Sequence, residues 1–263
     1  MITGFICCTL GQCSFEECLE AATSHPTECK FTYPILAAMV KSLKREATEI
    51  TVTRLLTCLR KVVLEKREAI FVRPDELYYT FRGQLFHSLI ADNQAPGSVV
   101  ETRFSREIAG ITISGQPDVI YPDQKKLVDY KSTRRVPSRK EPYETHAMQV
   151  NIYRWLIAPV YPIDKLEIVY LDMDTVKRLA VSVMDLRRVA AFVSVRTRVL
   201  KRGLDGGTLP ARVGPDGLWQ CNGYCYFTKF CWPKGVPTPD ELAQSEQAKV
   251  RTIRRALQAQ KEE

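Results

Sequence analysis

The sequence predicts an α/β fold, a mixed sheet flanked by helices, on three observations. Short β-branched and aromatic runs at 111–113, 119–121 and 127–130 are separated by turn-forming residues. A segment of helical periodicity, 143–157, follows them directly. Two further strand-like runs, near 166–171 and 178–183, lead into a second long helix over 185–202.

Taken in order, residues 1–45 read as a cysteine-bearing N-terminal extension, 46–236 as the main domain and 237–263 as a polar tail. Thr51 or Thr53 caps a helix that runs through Cys58 to Lys61. The stretch Arg82-Gly83-Gln84-Leu85-Phe86-His87-Ser88-Leu89-Ile90 starts another, with Gly83 and His87 on one face. There the glycine allows close approach and the imidazole projects beside it. Next, Pro122-Asp123-Gln124-Lys125 forms the turn of a β-hairpin. A loop centred between Asp123 and Gln124 sets Asp118 opposite Asp129, and Lys131, two residues on, shares a face with Asp129. In the 143–157 helix, Met148, Ile152 and Leu156 make an apolar stripe, while His146, Gln149 and Tyr153 lie on another face. Beyond Pro237 and Pro239, Val250, Ile253 and Leu257 are spaced for a narrow apolar stripe, as in a helix packed on the body or on a partner.

Length and composition bound the function classes. With 263 residues, 45% of them hydrophobic, the chain can bury one substantial core. The longest apolar runs, such as 35–40, are far short of a membrane span, and the first five residues lack the basic start of an export signal. A cytoplasmic protein is therefore expected. Nine cysteines in such a compartment point to metal binding rather than to a disulfide framework. The formal charge of +8 is unevenly spread: residues 125–140 carry seven basic groups against the single acid Asp129. Within them Arg134, Arg135, Arg139 and Lys140 occupy a Ser/Pro-bearing loop suited to clamping a phosphate backbone. A second basic stretch, 41–73, has nine basic and four acidic residues and offers a further strand-binding face.

Asp118 and Asp129 supply hard oxygen ligands of the kind that hold magnesium or manganese. Such an ion stabilises phosphate charge and acidifies a bound water, and Lys131 can position that water or neutralise developing negative charge. Alternating Asp and Lys on a half-exposed strand equally suits a solvated face, so the pattern needs company. His87 is a candidate further ligand, and Glu101 an additional carboxylate of lower weight.

Gly83-x3-His87, Pro117-Asp118, Asp129-x-Lys131 and Gln149-x3-Tyr153 together resemble, in order and spacing, the motifs of RecB-like nucleases of the PD-(D/E)xK superfamily. The resemblance covers roughly residues 50–235. It implies a restriction-endonuclease-like mixed sheet flanked by helices. His87, Asp118 and Asp129 would bind the catalytic metal with the backbone carbonyl of Tyr130, and Lys131 would assist the attacking water. Gln149 and Tyr153 would contact DNA or support the site.

Cys221-x3-Cys225-x5-Cys231 sits in a glycine- and aromatic-rich loop, and Cys58 is the best fourth ligand. One N-terminal and three C-terminal cysteines enclosing the nuclease motifs resemble the iron-sulfur arrangement of the AddB and CRISPR-associated Cas-four branches of these nucleases. This implies a [4Fe-4S] cluster held by a C-terminal cysteine-rich segment, although Cys-x3-Cys departs from the more usual Cys-x2-Cys. A four-cysteine zinc site would use the same ligands. The remaining Cys7, Cys8, Cys13, Cys18 and Cys29, with His25, crowd the first thirty residues. Cys8, Cys13, Cys18 and Cys29 are the first choice for a zinc knuckle, with Cys7 or His25 able to replace one; free buried or reactive thiols are the alternative.

The expectation is a metal-dependent DNA exonuclease acting 5′-to-3′ on single-stranded or frayed ends. Its partners would be those of CRISPR adaptation or of recombination and repair, including versions carried by viruses of prokaryotes. The alternative is a non-catalytic iron-sulfur or zinc DNA-binding or adaptor protein that keeps the nuclease fold.

Overall fold

A computed structural model describes residues 2–25, 29–43, 49–93, 95–222, 225–245 and 247. The chain opens with a hairpin of β1 (Ile2–Cys7) and β2 (Gly11–Cys13), then α1 (Phe15–Ser24) and α2 (Tyr33–Leu43). β3 (Ile50–Thr51) leads into α3 (Val52–Leu56), α4 (Leu59–Arg67), β4 (Ile70–Val72) and α5 (Pro74–Asp92). Five strands follow: β5 (Val99–Val100), β6 (Phe104–Ile108), β7 (Ile111–Gly115), β8 (Val119–Tyr121) and β9 (Lys126–Ser132). Then come α6 (Glu144–Ile157), β10 (Lys165–Leu171), β11 (Val176–Val181), α7 (Leu186–Leu204), a 3-10 turn (Pro215–Gln220) and α8 (Thr228–Cys231).

The central sheet has the order β11-β10-β9-β8-β5. Its β9–β10 pair is parallel and the others antiparallel, so the sheet is mixed as expected. Strands β3, β7 and β6 form a second small sheet. The β6–β7 hairpin turns through Ala109 and Gly110, both at positive φ (50° and 75°), the backbone of a tight two-residue turn. Pro117 lies in the break between β7 and β8, where the chain passes from the second sheet into the central one.

The main core packs α3, α4, α6 and α7 against these sheets, with Leu127, Ile152, Ile168, Tyr170 and Val193 fully buried or nearly so. α6 departs from the expected two-faced pattern. From Gln149 to Ile157 every residue except Arg154 is buried, so α6 is a central helix enclosed on most sides. The predicted helix over 51–61 is also two helices: α3 ends at Leu56, Thr57 is extended, and Cys58 immediately precedes α4. Arg196 on α7 donates to the carbonyls of Leu55 and Thr57, both at 2.6 Å, satisfying acceptors left open at that break.

A third sheet, β2-β1-β4, builds a second, smaller core with α1, α2 and Leu77 of α5. Its parallel β1–β4 pairing joins residues on both sides of position 45. The tail stripe Val250, Ile253 and Leu257 lies outside the described residues. Among the described residues no helix is long and apolar enough to cross a membrane.

Candidate active site and cysteine sites

The hairpin register follows the sequence prediction. Lys125 N–H bonds to Pro122 O at 2.9 Å, closing the turn, and Val119 pairs with Val128. One step further along the ladder, Asp118 faces Asp129. Both carboxylates are buried, at 5% and 2% exposure, which is costly for such groups unless something holds them. Asp118 Oδ2 accepts from the backbone N–H of Tyr130 at 2.6 Å, and its Oδ1 lies 2.9 Å from His87 Nδ1. Asp129 Oδ2 lies 2.7 Å from Lys131 Nζ, a close ion pair whose carboxylate is buried. Burial raises the Asp129 carboxyl to about 6. For Lys131, burial alone would lower the pKa, but the neighbouring Asp129 carboxylate reverses this and keeps the ammonium charged.

His87 reaches the site from α5, which starts well before the predicted 82–90 segment. Pro74 occupies its first turn, and the Glu76 carboxylate accepts from the N–H of Arg73 at 3.3 Å. The hydrogen bond with Asp118 raises the His87 pKa. Gly83 does not have the role expected of it, because among the described residues nothing beyond its own helix backbone and chain neighbours lies within 4 Å of where its Cβ would stand. A glycine that does permit close approach beside the site is Gly115, three residues before Asp118. A Cβ there would meet the Tyr153 ring at 2.7 Å and Leu156 Cδ1 at 2.8 Å.

The structure promotes Glu101, to which sequence reasoning gave little weight. Ligand atoms of His87, Glu101 and Asp118 all lie within 4.8 Å of one another, with Glu101 Oε1 3.9 Å from His87 Nδ1. Glu101 takes φ = 47°, a strained value for a residue with a side chain, and is held there by its N–H bond to Asp118 O at 3.1 Å. Gln116 hydrogen-bonds the Glu101 carboxylate, and Arg103 donates to Gln116 Oε1 at 2.7 Å and Ser114 Oγ at 3.0 Å. Burial and the nearby Asp118 raise the Glu101 pKa. His87, Glu101, Gln116 and Asp118 line an open cleft of about 360 Å³. Glu101 has no motif around it, and only its backbone strain and neighbours distinguish it.

Gln149 and Tyr153 are brought together as predicted: Gln149 Nε2 donates to Tyr153 Oη at 2.8 Å and to Thr53 Oγ1 at 3.2 Å. Burial, followed by the Asp129 charge, raises the Tyr153 pKa, so the phenol stays protonated beside Asp129 and Lys131. His146 does not join them; its Nδ1 lies 2.9 Å from the Tyr170 hydroxyl.

Arg134, Arg135, Arg139 and Lys140 are exposed on the loop between β9 and α6. The loop backbone is tied down. Lys177 Nζ donates to the carbonyls of Pro137, Ser138 and Arg139 at 3.0, 3.2 and 2.8 Å, and Val136 N–H bonds to Asp172 Oδ2 at 2.6 Å. Arg139 also stacks over Tyr143, 5.1 Å from the ring centroid.

Cys58 and, more than 160 residues later in the sequence, Cys221, Cys225 and Cys231 line one cavity of about 140 Å³. The N–H of Cys58 donates to Gln220 Oε1 at 3.0 Å, and Thr228 Oγ1 bonds to the carbonyls of Cys221 and Cys225 at 2.8 and 2.9 Å. At the N-terminus, the preferred set of Cys8, Cys13, Cys18 and Cys29 needs correction. Strand alternation turns Cys7 inward beside Cys13 and Cys18, and leaves Cys8 exposed. Among the described residues these three form a group of thiols that all lie within 4.8 Å of one another.

Comparison with known proteins gives an independent reading. The model of the PD-(D/E)XK nuclease superfamily matches residues 45–232, well over half of the chain. No curated relative matches the sequence significantly. Among solved structures, SSO0001 is similar with a TM-score of 0.52 at 22% identity, over 78% of this chain and 96% of that one. A phage-related exonuclease from Haemophilus somnus 129PT is similar with a TM-score of 0.43 at 12% identity, over 60% of this chain and 94% of that one. The family match spans the helix that carries His87, the Asp118/Asp129 hairpin and Cys58 to Cys231, and the chain belongs to the PD-(D/E)XK nuclease superfamily.

Proposed function

We propose that this nuclease is a divalent-metal-dependent DNA exonuclease acting on single-stranded or frayed ends in the 5′-to-3′ direction. The observation that carries the catalytic part is the convergence of His87, Glu101 and Asp118 at one cleft, with the Asp129–Lys131 pair on the facing strand. The donor set fits a hard cation. Oxygen ligands predominate, and the ligand atoms of His87, Glu101 and Asp118 lie within 4.8 Å of one another. Magnesium or manganese bound there supplies charge neutralisation for the scissile phosphate and acidifies a water. His87, Asp118 and Asp129 would hold it with the Tyr130 carbonyl, and Glu101 would complete the set. Lys131 orients the attacking water and offsets negative charge on the phosphate. Tyr153, braced by Gln149, closes the dry side of the Asp129–Lys131 pair. Arg134, Arg135, Arg139 and Lys140 grip the strand beyond the cleft.

Cys58, Cys221, Cys225 and Cys231 would hold a structural [4Fe-4S] cluster. The four thiols line one cavity, and the choice of the cluster over zinc rests on the resemblance of their arrangement in the sequence. Service in CRISPR adaptation, or in recombination and repair as a host or viral enzyme, follows from the branch resembled.

The test uses 5′- and 3′-end-labelled single- and double-stranded DNA, with RNA in parallel, in magnesium or manganese and with an EDTA control. Expected is metal-dependent release of labelled products from single strands by wild type and not by Asp129→Ala. If both proteins bind DNA and neither cuts it, the adaptor reading replaces the enzyme. An anaerobically purified protein that is colourless and iron-free would exclude the cluster.

A further inference from the structure

We propose that Cys7, Cys13 and Cys18, completed by Cys29, bind a structural zinc ion at the centre of the N-terminal lobe, a site separate from the nuclease centre and from the C-terminal cysteines. Three different elements deliver the first three sulfurs. Cys7 ends β1, Cys13 ends β2, and Cys18 lies on α1. Because Cys13 pairs with Phe5, two residues before Cys7, all three inner residues share one sheet face. α1 is aimed onto that face by a capping box: Ser14 Oγ accepts from Glu17 N–H at 3.1 Å, and the Glu17 carboxylate accepts from Ser14 N–H at 2.7 Å.

The sulfurs converge within 4.8 Å, and the three residues are almost completely buried, with exposures of 6%, 6% and 2%. Thiols that merely fill a core have no reason to meet one another rather than carbon. Donors also surround Cys7 Sγ: the Thr9 hydroxyl lies at 3.3 Å, and the N–H groups of Thr9 and Leu10 point at it from the β1–β2 turn. Outer donors of this kind stabilise a metal-bound thiolate and orient it. Cys29 lies beside Cys8 and within electrostatic reach of Cys18, placing a fourth thiol at the rim of the triad. Three convergent thiols with a fourth beside them make a soft ligand set that suits zinc in a structural role. The lobe has need of it, since its own core is small and is shared with β4 and α5.

Zinc and iron are to be counted per chain by mass spectrometry in the full-length protein, purified anaerobically without chelators from zinc-supplemented cells. About one zinc per chain is expected in wild type and in Cys8→Ser, and none in Cys13→Ser/Cys18→Ser, with iron unchanged between them. Alkylation mapping of the wild type guards against a misfolded variant: Cys7, Cys13, Cys18 and Cys29 should label only after zinc is removed by a chelator. Substoichiometric zinc in wild type overturns the proposal, as does zinc retained by the double variant. So does chelator-dependent protection confined to Cys58, Cys221, Cys225 and Cys231. None of these readouts depends on nuclease activity.

Discussion

In the proposed site the Lys131–Asp129 pair would serve both stability and chemistry. Replacing Lys131 by Met leaves a carboxylate, 2% exposed, without its counter-charge, at a cost of up to about 3 kcal/mol that chemical denaturation would read. The double variant Asp129→Asn/Lys131→Met should recover most of that stability while staying ~100-fold or more below wild type in DNA cleavage. Glu101→Gln should weaken cation binding with little loss of fold, because Gln116 can still hydrogen-bond the amide; magnesium or manganese titration of activity checks this. His146 has a separate, structural signature. Burial lowers its pKa from the ordinary 6.5 to about 4, so the unfolded chain binds the proton first as pH falls. The stability this neutral imidazole contributes is present above pH 6.5 and lost progressively towards pH 4. Urea midpoints of wild type should therefore fall relative to His146→Phe across that window, by no more than about 2 kcal/mol for a half-buried ring.

Among the elements, β7 and α6 are locked together by a missing side chain. Gly115→Ala would drive a methyl into the Tyr153 ring and Leu156, and an overpacked core of this kind costs about 1–3 kcal/mol. It should also reduce cleavage, because Tyr153 borders the Asp129–Lys131 pair; thermal unfolding and a cleavage assay would separate the two effects. The loop after β9 acts as one unit because Lys177 pins three of its carbonyls. Removing Arg135 and Lys140 should flatten the salt dependence of single-stranded DNA affinity by about 0.7 in slope per lost phosphate contact. A slope unchanged in the double alanine variant would remove this loop from the DNA path.

Across the whole molecule, the cavity lined by Cys58, Cys221, Cys225 and Cys231 brings distant stretches of chain together. Cys58 and the 221–231 segment hold the start of α4 against the C-terminal turn, where Gln220 already bonds the Cys58 backbone. Oxidative loss of the proposed cluster should lower the melting temperature by roughly 2–4 °C per kcal/mol lost, without altering the Asp118–His87 contact. A protein whose melting is indifferent to the cluster would restrict those cysteines to another role.

Much of the active hairpin was legible in the sequence because its information is local. Turn residues 122–125 set the register, a two-residue period set the faces, and Asp118, Asp129 and Lys131 followed. Helical spacing likewise placed Gln149 beside Tyr153. Other features depend on elements far apart in the chain. Glu101 reaches His87 only because β5 lies on β8, and Gly115 rather than Gly83 takes the close contact because α6 crosses β7. Cys7 replaces Cys8 because β1 is a strand, paired with β4 some seventy residues later. The sequence by itself determined which chemical groups the chain carries and their local register. Tertiary structure decided which of them meet, because burial and non-local strand pairing have no signature within a short window of residues.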